Sequence, residues 1–382
     1  MKISFSVNDV LSQLAQVSSV CNPKAPIQIL SDIVLKTFKD KTDDICLMIT
    51  GSDGETFVSM KASCNSDSDE DFVCALNAKD FVSTLRNLSG QVVTIECDEQ
   101  SHTCKGRYSN GHFTMPYDDA DSFPVPVTDK EANEMIVDAQ RLLAAIASTE
   151  YAVATDELRP IMNGVHFDMT DKGLVVVATD GMKLSKYTDE LINCNSDGEM
   201  KGFTLPSKPA HLATLLLSKR EGDVKLSFGE KGVVISCSDF RIIARIQEGR
   251  YPNYNSVIPT ANDLTPIVKK EDLLGALNRV MPMGSVANEL VALTFENGKL
   301  TINAEDIDYS KSATENIDCE YNGEKFAIGF KGSCLYGVAQ KINGDRLKFK
   351  ISAPTNAALV VPIEQGNGVE YISLLMPMLL NV

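Results

Sequence analysis

Apolar residues recur along the chain with helical and with strand period. The helical spacing predicts six helices in two sets of three, and the first set has capping-type starts. The first set covers Asn8 to Val20, Asp138 to Ala154 and Lys269 to Met283, and the second covers Ala78 to Leu88, Ser207 to Arg220 and Lys331 to Ile342. Within each set the helices begin about 130 residues apart, which indicates three copies of one unit.

Short runs of strand-forming residues lie between the predicted helices, and turns such as Asn297-Gly298 separate them. The clearest predicted strands are Ile33 to Lys36, Cys46 to Gly51, Phe57 to Ala62, Val92 to Cys97, Val165 to Met169 and Leu290 to Phe295. Each unit is then two helices packed on antiparallel sheet, an α+β fold. We expect three such domains, at residues 1–126, 127–258 and 259–382.

The segment from Val175 to Tyr187 predicts a β-hairpin. A buried strand leads into the turn Thr179-Asp180-Gly181, and the second strand carries the apolar Leu184 between two lysines. Taken alone, this pattern is typical of an ordinary turn, because glycine tolerates positive φ and Asp can hydrogen-bond its own backbone. Two other segments, Gly249 to Pro259 and Leu374 to Val382, combine apolar side chains with proline where a linker or tail is normally polar.

At these three segments the sequence resembles the bacterial β sliding clamps, the processivity subunits of replicative DNA polymerases. The motifs are ATDG followed by a basic residue and Leu, an aromatic-Pro-x-Tyr linker, and a terminal Met-Pro-Met. The likeness starts with MKISFSVNDVLSQLAQVSSVCNPKAPIQIL and runs to the terminus. It implies three clamp domains per chain and a ring-shaped homodimer that encircles double-stranded DNA regardless of its sequence. It also implies three kinds of protein partner, namely the replicative DNA polymerase, the clamp-loader ATPase, and other repair and replication proteins that carry a clamp-binding motif.

Length and composition set limits on the fold and the compartment. The chain has 382 residues, 43% of them hydrophobic, which is enough for two or three cores. No apolar run could span a membrane, and residues 1–10 lack a secretion signal, so we expect a cytoplasmic protein without a membrane partner. The ten cysteines are scattered without a C-x-x-C pair, which favours reduced, mostly buried thiols over a metal site or disulfides.

The net charge of −16 is unusual for a protein that touches DNA, because phosphate binding depends on Lys and Arg. The six predicted helices nevertheless sum to +5, which leaves −21 for the rest of the chain. Lysines that decorate solvated helix faces would explain this segregation. A ring with its helices facing inward would also explain it, because the hole must tolerate phosphates while the acidic exterior repels DNA.

The family resemblance places basic residues at the DNA in three loops or helix starts, at Lys24, Arg159 and Lys208. From the basic residues of the second helix set we also expect DNA contacts by Lys79, Arg86, Lys219, Arg220 and Lys331. The chain departs from the family at Ser12 and Leu215, which stand where clamps often carry basic residues.

The resemblance further implies a groove for partner peptides, which have a leading glutamine and a trailing Leu-Phe-like pair. Its apolar walls are expected from Met162, Leu184, Pro252, Val257, Leu374, Met376 and Met378, and its backbone shape from Thr179, Gly181 and Pro377. Met182-Lys183, Ser256 and Leu379 replace a His-Arg pair, an arginine and a basic residue, so we expect a more apolar and less basic groove. Alternatively, Met376 to Leu380 is simply a final core strand.

A homodimer follows from domain size, because three compact domains cannot enclose a duplex whereas six related by a twofold axis can. Met281, Pro282 and Met283 end a predicted helix and are expected at the dimer interface, with core burial as the alternative. The partner strand on the first domain is placed near Gly111 to Met115.

Catalytic signals are missing from the sequence. It contains no nucleotide-binding loop and no nucleophile elbow, and its four histidines lack metal spacing. The acidic run from Asn65 to Phe72 is predicted to be a loop that lacks the glycine and the closing glutamate of a calcium site. We expect no catalytic residue, no metal and no cofactor. Two other functions stay open: a metal-dependent nuclease that uses acids such as Asp156 and Asp180, and a three-domain binding protein unconnected to DNA.

Overall fold

The computed structural model describes residues 2–66, 72–129, 131–156, 158–194 and 202–380. In this part of the chain the six predicted helices are confirmed. Their bounds are α1 (Val7–Ser18), α2 (Ala78–Arg86), α3 (Ala139–Thr149), α4 (Ser207–Leu217), α5 (Lys270–Val280) and α6 (Gly332–Lys341).

The strands pair antiparallel, as the sequence predicts. They are β1 (Lys2–Ser6), β2 (Asp32–Lys39), β3 (Ile45–Ser52), β4 (Thr56–Ser63), β5 (Asn65–Ser66), β6 (Val73–Asn77), β7 (Val92–Asp98), β8 (Thr103–Tyr108), β9 (Gly111–Pro116), β10 (Asn133–Asp138), β11 (Gly164–Thr170), β12 (Gly173–Thr179), β13 (Lys183–Asp189), β14 (Phe203–Pro206), β15 (Asp223–Phe228), β16 (Gly232–Ser236), β17 (Phe240–Arg245), β18 (Ile267–Lys269), β19 (Leu290–Glu296), β20 (Lys299–Asp306), β21 (Lys311–Asp318), β22 (Phe326–Lys331), β23 (Arg346–Lys350), β24 (Ala358–Pro362) and β25 (Val369–Leu375).

The chain divides into two compact units. The first unit comprises Met1–Ala139 and Lys219–Ile246, and it holds the sheets β5-β1-β7-β8-β9 and β10-β15-β16-β17-β4-β3-β2-β6. The second unit comprises Gln140–Ser218 and Gln247–Val382, and it holds the sheets β14-β11-β12-β13-β25-β24-β23-β18 and β21-β20-β19-β22. The central sequence repeat therefore contributes strands to both units.

Helices and sheets form two layers because each buries one face. In α1 the apolar side chains of Val7, Val10, Leu14 and Val17 recur at three- and four-residue steps and are all fully buried. In β19 the residues alternate, so that Val291, Leu293 and Phe295 face the core while their neighbours are half-exposed. The helical period of the sequence therefore corresponds to the helix layer, and the alternating period corresponds to the sheet layer.

All six helices end before their predicted last residue, and the difference is largest in α3, α4 and α5. α3 ends at Thr149 and is followed by the 3-10 turn Glu150–Ala152. α5 gives way to the 3-10 turn Met281–Met283, because Pro282 has no N–H with which to continue the α-helical hydrogen bonding. α4 ends at Leu217. Of the three basic residues predicted on this helix, the helix contains Lys208, while Lys219 and Arg220 follow its end.

The acidic run is only partly described. Residues 67–71 lie outside the described residues, and so do the terminal Asn381 and Val382. Asn65 and Ser66 form the short strand β5 paired with β1, and Phe72 is fully buried, so the loop prediction is wrong for its first two residues. Pairing with the edge of β1 satisfies their backbone groups.

Candidate functional site

The turn between β12 and β13 is held by its own side chains. Thr179 Oγ1 donates to the carbonyl of Lys183 at 2.8 Å. Asp180 Oδ1 accepts from the amides of Met182 and Lys183, both at 2.8 Å, and Asp180 also pairs with the Lys183 ammonium. Gly181 has φ +89°, a conformation that a side chain would strain. The predicted hairpin is thus confirmed, and the side chains of Thr179 and Asp180 hold its turn by hydrogen bonds.

The exposed side chain of Arg159 also stabilises this turn. Its Nη2 donates to the carbonyl of Asp180 at 3.2 Å and to Asp156 Oδ2 at 2.8 Å. The hydrogen bond from Arg159 lowers the pKa of the Asp156 carboxyl. Asp156 and Asp180, the two acids of the nuclease hypothesis, are therefore each held by a cationic side chain.

The linker after β17 is anchored through two tyrosines. The Tyr251 ring stacks on His166 with the centroids 4.4 Å apart, and Tyr254 Oη donates to Asp168 Oδ2 at 2.7 Å. Burial lowers the pKa of His166 to about 4, so this imidazole is neutral at pH 7. Because the tyrosines point inward, Pro252 and Val257 are left on the surface, with Val257 50% exposed.

The hairpin and the end of the chain meet in one sheet. β13 pairs with β25, and Leu184 stands opposite Leu374. Both leucines are buried, so they form the floor of the site rather than its predicted walls. The apolar cluster beneath the site consists of Val175, Val177, Leu184, Tyr251, Tyr254, Leu359, Val361 and Leu374.

The tail, residues 376–380, leaves β25 without continuing it as a strand. The Met376 amide donates to the Met182 carbonyl at 2.9 Å, and the Met378 amide donates to the Gly329 carbonyl at 2.8 Å. The final-strand alternative is therefore wrong beyond Leu375, apart from the single bridge at Met378. The side chains of Met376 and Leu379 stay exposed, so the tail adds apolar surface beside the turn.

The structure thus brings most of the predicted groove residues to one place. The hairpin and tail residues that are joined by hydrogen bonds or by strand pairing are Thr179, Gly181, Met182, Lys183, Leu184, Leu374, Met376 and Met378. Pro377 lies between Met376 and Met378 in the chain. Met162 is buried in the 3-10 turn Pro160–Met162, and Ser256 is exposed on the linker. Sequence reasoning missed His166, which carried no motif, and Gly329, which lies in none of the helices and strands predicted above.

The predicted DNA-contacting residues occupy different settings. Five of them are exposed, namely Lys24, Lys79, Arg86, Lys208 and Lys219. Lys331 pairs with Glu289 at 3.5 Å, and Arg220 pairs with Asp239 and lies over the Phe240 ring. Arg159 belongs to the hairpin turn described above.

The predicted dimer residues lie near a sheet edge. Met281, Pro282 and Met283 form a surface turn, and Met283 is 42% exposed. Met281 and Pro282 also line a cavity of 390 Å³. β21 is the outer strand of its sheet in the second unit, and β9, which contains the predicted partner strand, is the outer strand of its sheet in the first unit.

In the described residues, no group of three or more His, Cys, Asp or Glu side chains is arranged to hold a metal ion. No helix in the same residues is long and apolar enough to cross a membrane. All ten cysteines are free thiols, six of them buried.

Comparison with known proteins gives full-length matches. The beta sliding clamp of Caulobacter vibrioides is 25% identical over 99% of this chain and 100% of its own length, and that of Haemophilus influenzae is 26% identical over the same shares. The sliding clamp structure from Bartonella birtlesii, bound to griselimycin, superposes with a TM-score of 0.89 at 24% identity, covering 100% of both chains. The structure of DNA polymerase III subunit beta from Borrelia burgdorferi reaches 0.90 at 19% identity over 100% of both. These structural likenesses show the fold.

Family models match the chain in three consecutive pieces. Residues 1–127 match the N-terminal domain of the DNA polymerase III beta subunit, residues 136–253 its central domain, and residues 255–378 its C-terminal domain. Together they cover most of the sequence in the order in which the repeats occur. The chain therefore belongs to the DNA polymerase III beta subunit family, the non-catalytic sliding clamps of DNA replication.

Proposed function

We propose that two copies of this chain form a closed ring around double-stranded DNA in the cytoplasm and tether the replicative polymerase to it. Membership of the sliding clamp family supports this proposal. We further propose domain bounds at residues 1–126, 127–258 and 259–382. A clamp-loader ATPase would open the ring, since the chain's own sequence contains no nucleotide-binding loop.

The junction of hairpin, linker and tail carries the proposal of a partner-peptide groove. It offers an apolar floor around Leu184 and Leu374, exposed methionines at Met182 and Met376, and a turn whose polar groups are already satisfied. Methionine adapts to several partner shapes, so the polymerase, the clamp loader and repair proteins could use the site in turn. The Lys183–Asp180 pair leaves little net positive charge at the turn.

The proposed groove is tested with a synthetic peptide that has a leading glutamine and a trailing Leu-Phe pair. Substitution Leu374→Ala would unfold part of the sheet, so Met182→Asp and Met376→Asp on the exposed rim are the better variants. We expect each to weaken binding at least tenfold without changing the melting temperature. Leu191→Asp, which changes an exposed apolar residue elsewhere in the second unit, is the matched control. Unchanged peptide affinity in both rim variants would reject the groove.

The ring is proposed to close between the edge strands β9 of one chain and β21 of its partner, with the Met281–Met283 turn beside the contact. Both strands end their sheets, and their half-exposed residues suit edge-to-edge pairing. Replacing Met281 and Met283 together by Asp should give a monomer in light scattering at micromolar concentration. An unchanged dimer mass would refute this assignment.

DNA contact is proposed to be independent of sequence and weakened by salt, because lysines on helices and in loops meet phosphates rather than base edges. Lys24→Glu with Lys208→Glu should shorten retention on nicked circular DNA and leave the dimer intact. Arg159→Glu is kept separate, because it also removes the brace on the hairpin turn. Lys172→Glu, another exposed lysine, is the control. Retention equal to the unmodified protein would place Lys24 and Lys208 away from the DNA.

A further inference from the structure

Three buried cysteines lie together in the first unit. Cys97 is on β7 and Cys104 is on β8, both in the five-stranded sheet, and Cys74 is on β6 of the eight-stranded sheet. The thiols of Cys104 and Cys74 both donate hydrogen bonds to the Cys97 sulfur. Neither the proposed ring contact nor the proposed groove uses these side chains, so a function of this cluster would be separate from both.

Strand register places two of these thiols directly opposite each other. Cys97 pairs with Cys104 across β7 and β8, and both are buried, with Cys97 5% exposed. Directly opposed residues of antiparallel strands have Cα atoms about 4.5–5.5 Å apart, and a disulfide needs roughly 4.4–6.8 Å. The two cysteines can therefore form a disulfide without displacing either strand. Among the strands of the described residues, no other register pair joins two cysteines.

Cys97 is the more reactive member of this pair. The pair lies next to Asp98 and Thr103, the last paired residues before the exposed hairpin loop of residues 99–102. Strand ends open locally at a low free energy, which lets a small oxidant reach the pair. The hydrogen bonds from the Cys104 and Cys74 thiols stabilise the Cys97 thiolate and lower the pKa of Cys97. Because the thiolate is the nucleophilic form of cysteine, Cys97 is the thiol that a small oxidant attacks first.

We propose that Cys97 and Cys104 form a peroxide-sensitive dithiol site that closes reversibly to a disulfide. First, the Cys97 thiolate attacks hydrogen peroxide and the O–O bond breaks, which leaves a sulfenic acid on Cys97. The departing hydroxide takes up the proton that Cys97 had lost. Next, the Cys104 sulfur attacks the Cys97 sulfur, the S–O bond breaks, and hydroxide leaves with the Cys104 proton as water. One peroxide is reduced to two waters while two thiols are oxidised to one disulfide, and exchange with two molecules of a small thiol reopens the site.

The test maps disulfides in the full-length protein after treatment with hydrogen peroxide at pH 7 and blocking of the remaining thiols. A protease that cuts after glutamate separates Cys97 from Cys104 at Glu99. The same protease separates Cys74 from Cys97 at Glu96. We expect mass spectrometry to find the Cys97 and Cys104 fragments joined, with the loss of two hydrogen atoms, and to find them apart once a thiol reductant is added.

Cys319 is the internal control, because it is also 5% exposed but lies outside the strands. Under peroxide the free Cys97 thiol should be lost at least tenfold faster than the Cys319 thiol. Cys104→Ala should abolish the disulfide and leave a sulfenic acid on Cys97 that dimedone traps, whereas Cys74→Ala should keep the disulfide.

Three results on the unmodified protein would overturn the inference, and none of them depends on the folding of a variant. The first is a disulfide between Cys74 and Cys97 in place of the proposed one. The second is loss of the Cys97 and Cys319 thiols at equal rates. The third is a Cys97 thiol that is still free when Cys319 has been oxidised.

Discussion

Gly329→Ala is a small change with a specific predicted effect on partner binding. The added Cβ would lie 2.8 Å from the Met378 carbonyl oxygen and 2.9 Å from side-chain carbons of Leu290 and Leu380. Ordinary contacts to a Cβ lie at 3.4–4 Å, so the tail must retreat by more than half an ångström. β22 itself is paired with β19 and remains in place.

The retreat of the tail costs the free energy of the contacts that it removes. The hydrogen bond from the Met378 amide to the Gly329 carbonyl, at 2.8 Å, is the tail's bond to β22 and would stretch or break. Losing one such bond costs about 1 kcal/mol. Apolar surface of Leu380 that the retreat exposes adds roughly a further 0.5 kcal/mol. If partner peptides need the docked tail, their dissociation constant should rise about tenfold, since 1.4 kcal/mol is a factor of ten.

Two measurements test this reasoning on the same protein. Peptide affinity is measured by fluorescence anisotropy, and amide hydrogen exchange is followed at Met376 and Met378, which should lose protection while β25 keeps it. Gly337→Ala in α6 is the control, because its Cβ would meet only Tyr151 at 3.8 Å. Unchanged affinity together with lost protection would show that the docked tail is not part of the groove. Unchanged protection would show that the steric estimate is wrong.

Deleting residues 376–382 should abolish peptide binding in anisotropy while thermal unfolding of the dimer stays cooperative, because β25 ends at Leu375. Tyr254→Phe should lower the free energy of unfolding in urea by about 1–3 kcal/mol, because the buried Tyr254 no longer donates to Asp168. The pKa of His166 is about 4 in the folded protein and 6.5 when the side chain is free. Between these two pH values the unfolded chain binds more protons than the folded one. The free energy of unfolding therefore falls as the pH drops from 6.5 to 4. The difference in unfolding free energy between the unmodified protein and His166→Gln should shift by up to about 3 kcal/mol across that range and level off below pH 4.

The helices and the hairpin could be predicted because their signals are local. Buried positions in α1 recur with helical period, and Asp180-Gly181 forms a turn through contacts within four residues. Helix ends were less predictable where a tertiary partner or proline decides them. Arg220, for example, lies beyond the end of α4 and pairs with Asp239 in the turn between β16 and β17 of the first unit.

The candidate site could be predicted only in part, because much of it depends on residues distant in sequence. Motifs identified the hairpin and tail, but nothing local to Gly329 shows that the tail crosses it 49 residues later, at Met378. Nor does the sequence distinguish Leu184, which is buried under the site, from Met182, which is exposed beside it. Leu184 is paired with Leu374 in β25, about 190 residues away in the sequence, whereas Met182 lies in the turn before β13.

The register between β13 and β25 is itself fixed by a buried polar cluster. Ser185 and Ser373 stand opposite each other and are both fully buried. Ser185 Oγ donates to the Ser148 carbonyl at 2.7 Å, and Ser373 Oγ lies 2.9 Å from Tyr151 Oη. A slip of one residue would turn these hydroxyls away from their partners and move Leu184 to the opposite face. Because unsatisfied buried hydroxyls are costly, the polar cluster beneath the sheet keeps the leucine floor under the proposed groove. The exposed side chains of Met182 and Met376, at the rim of the proposed groove, can therefore change rotamer without moving this floor.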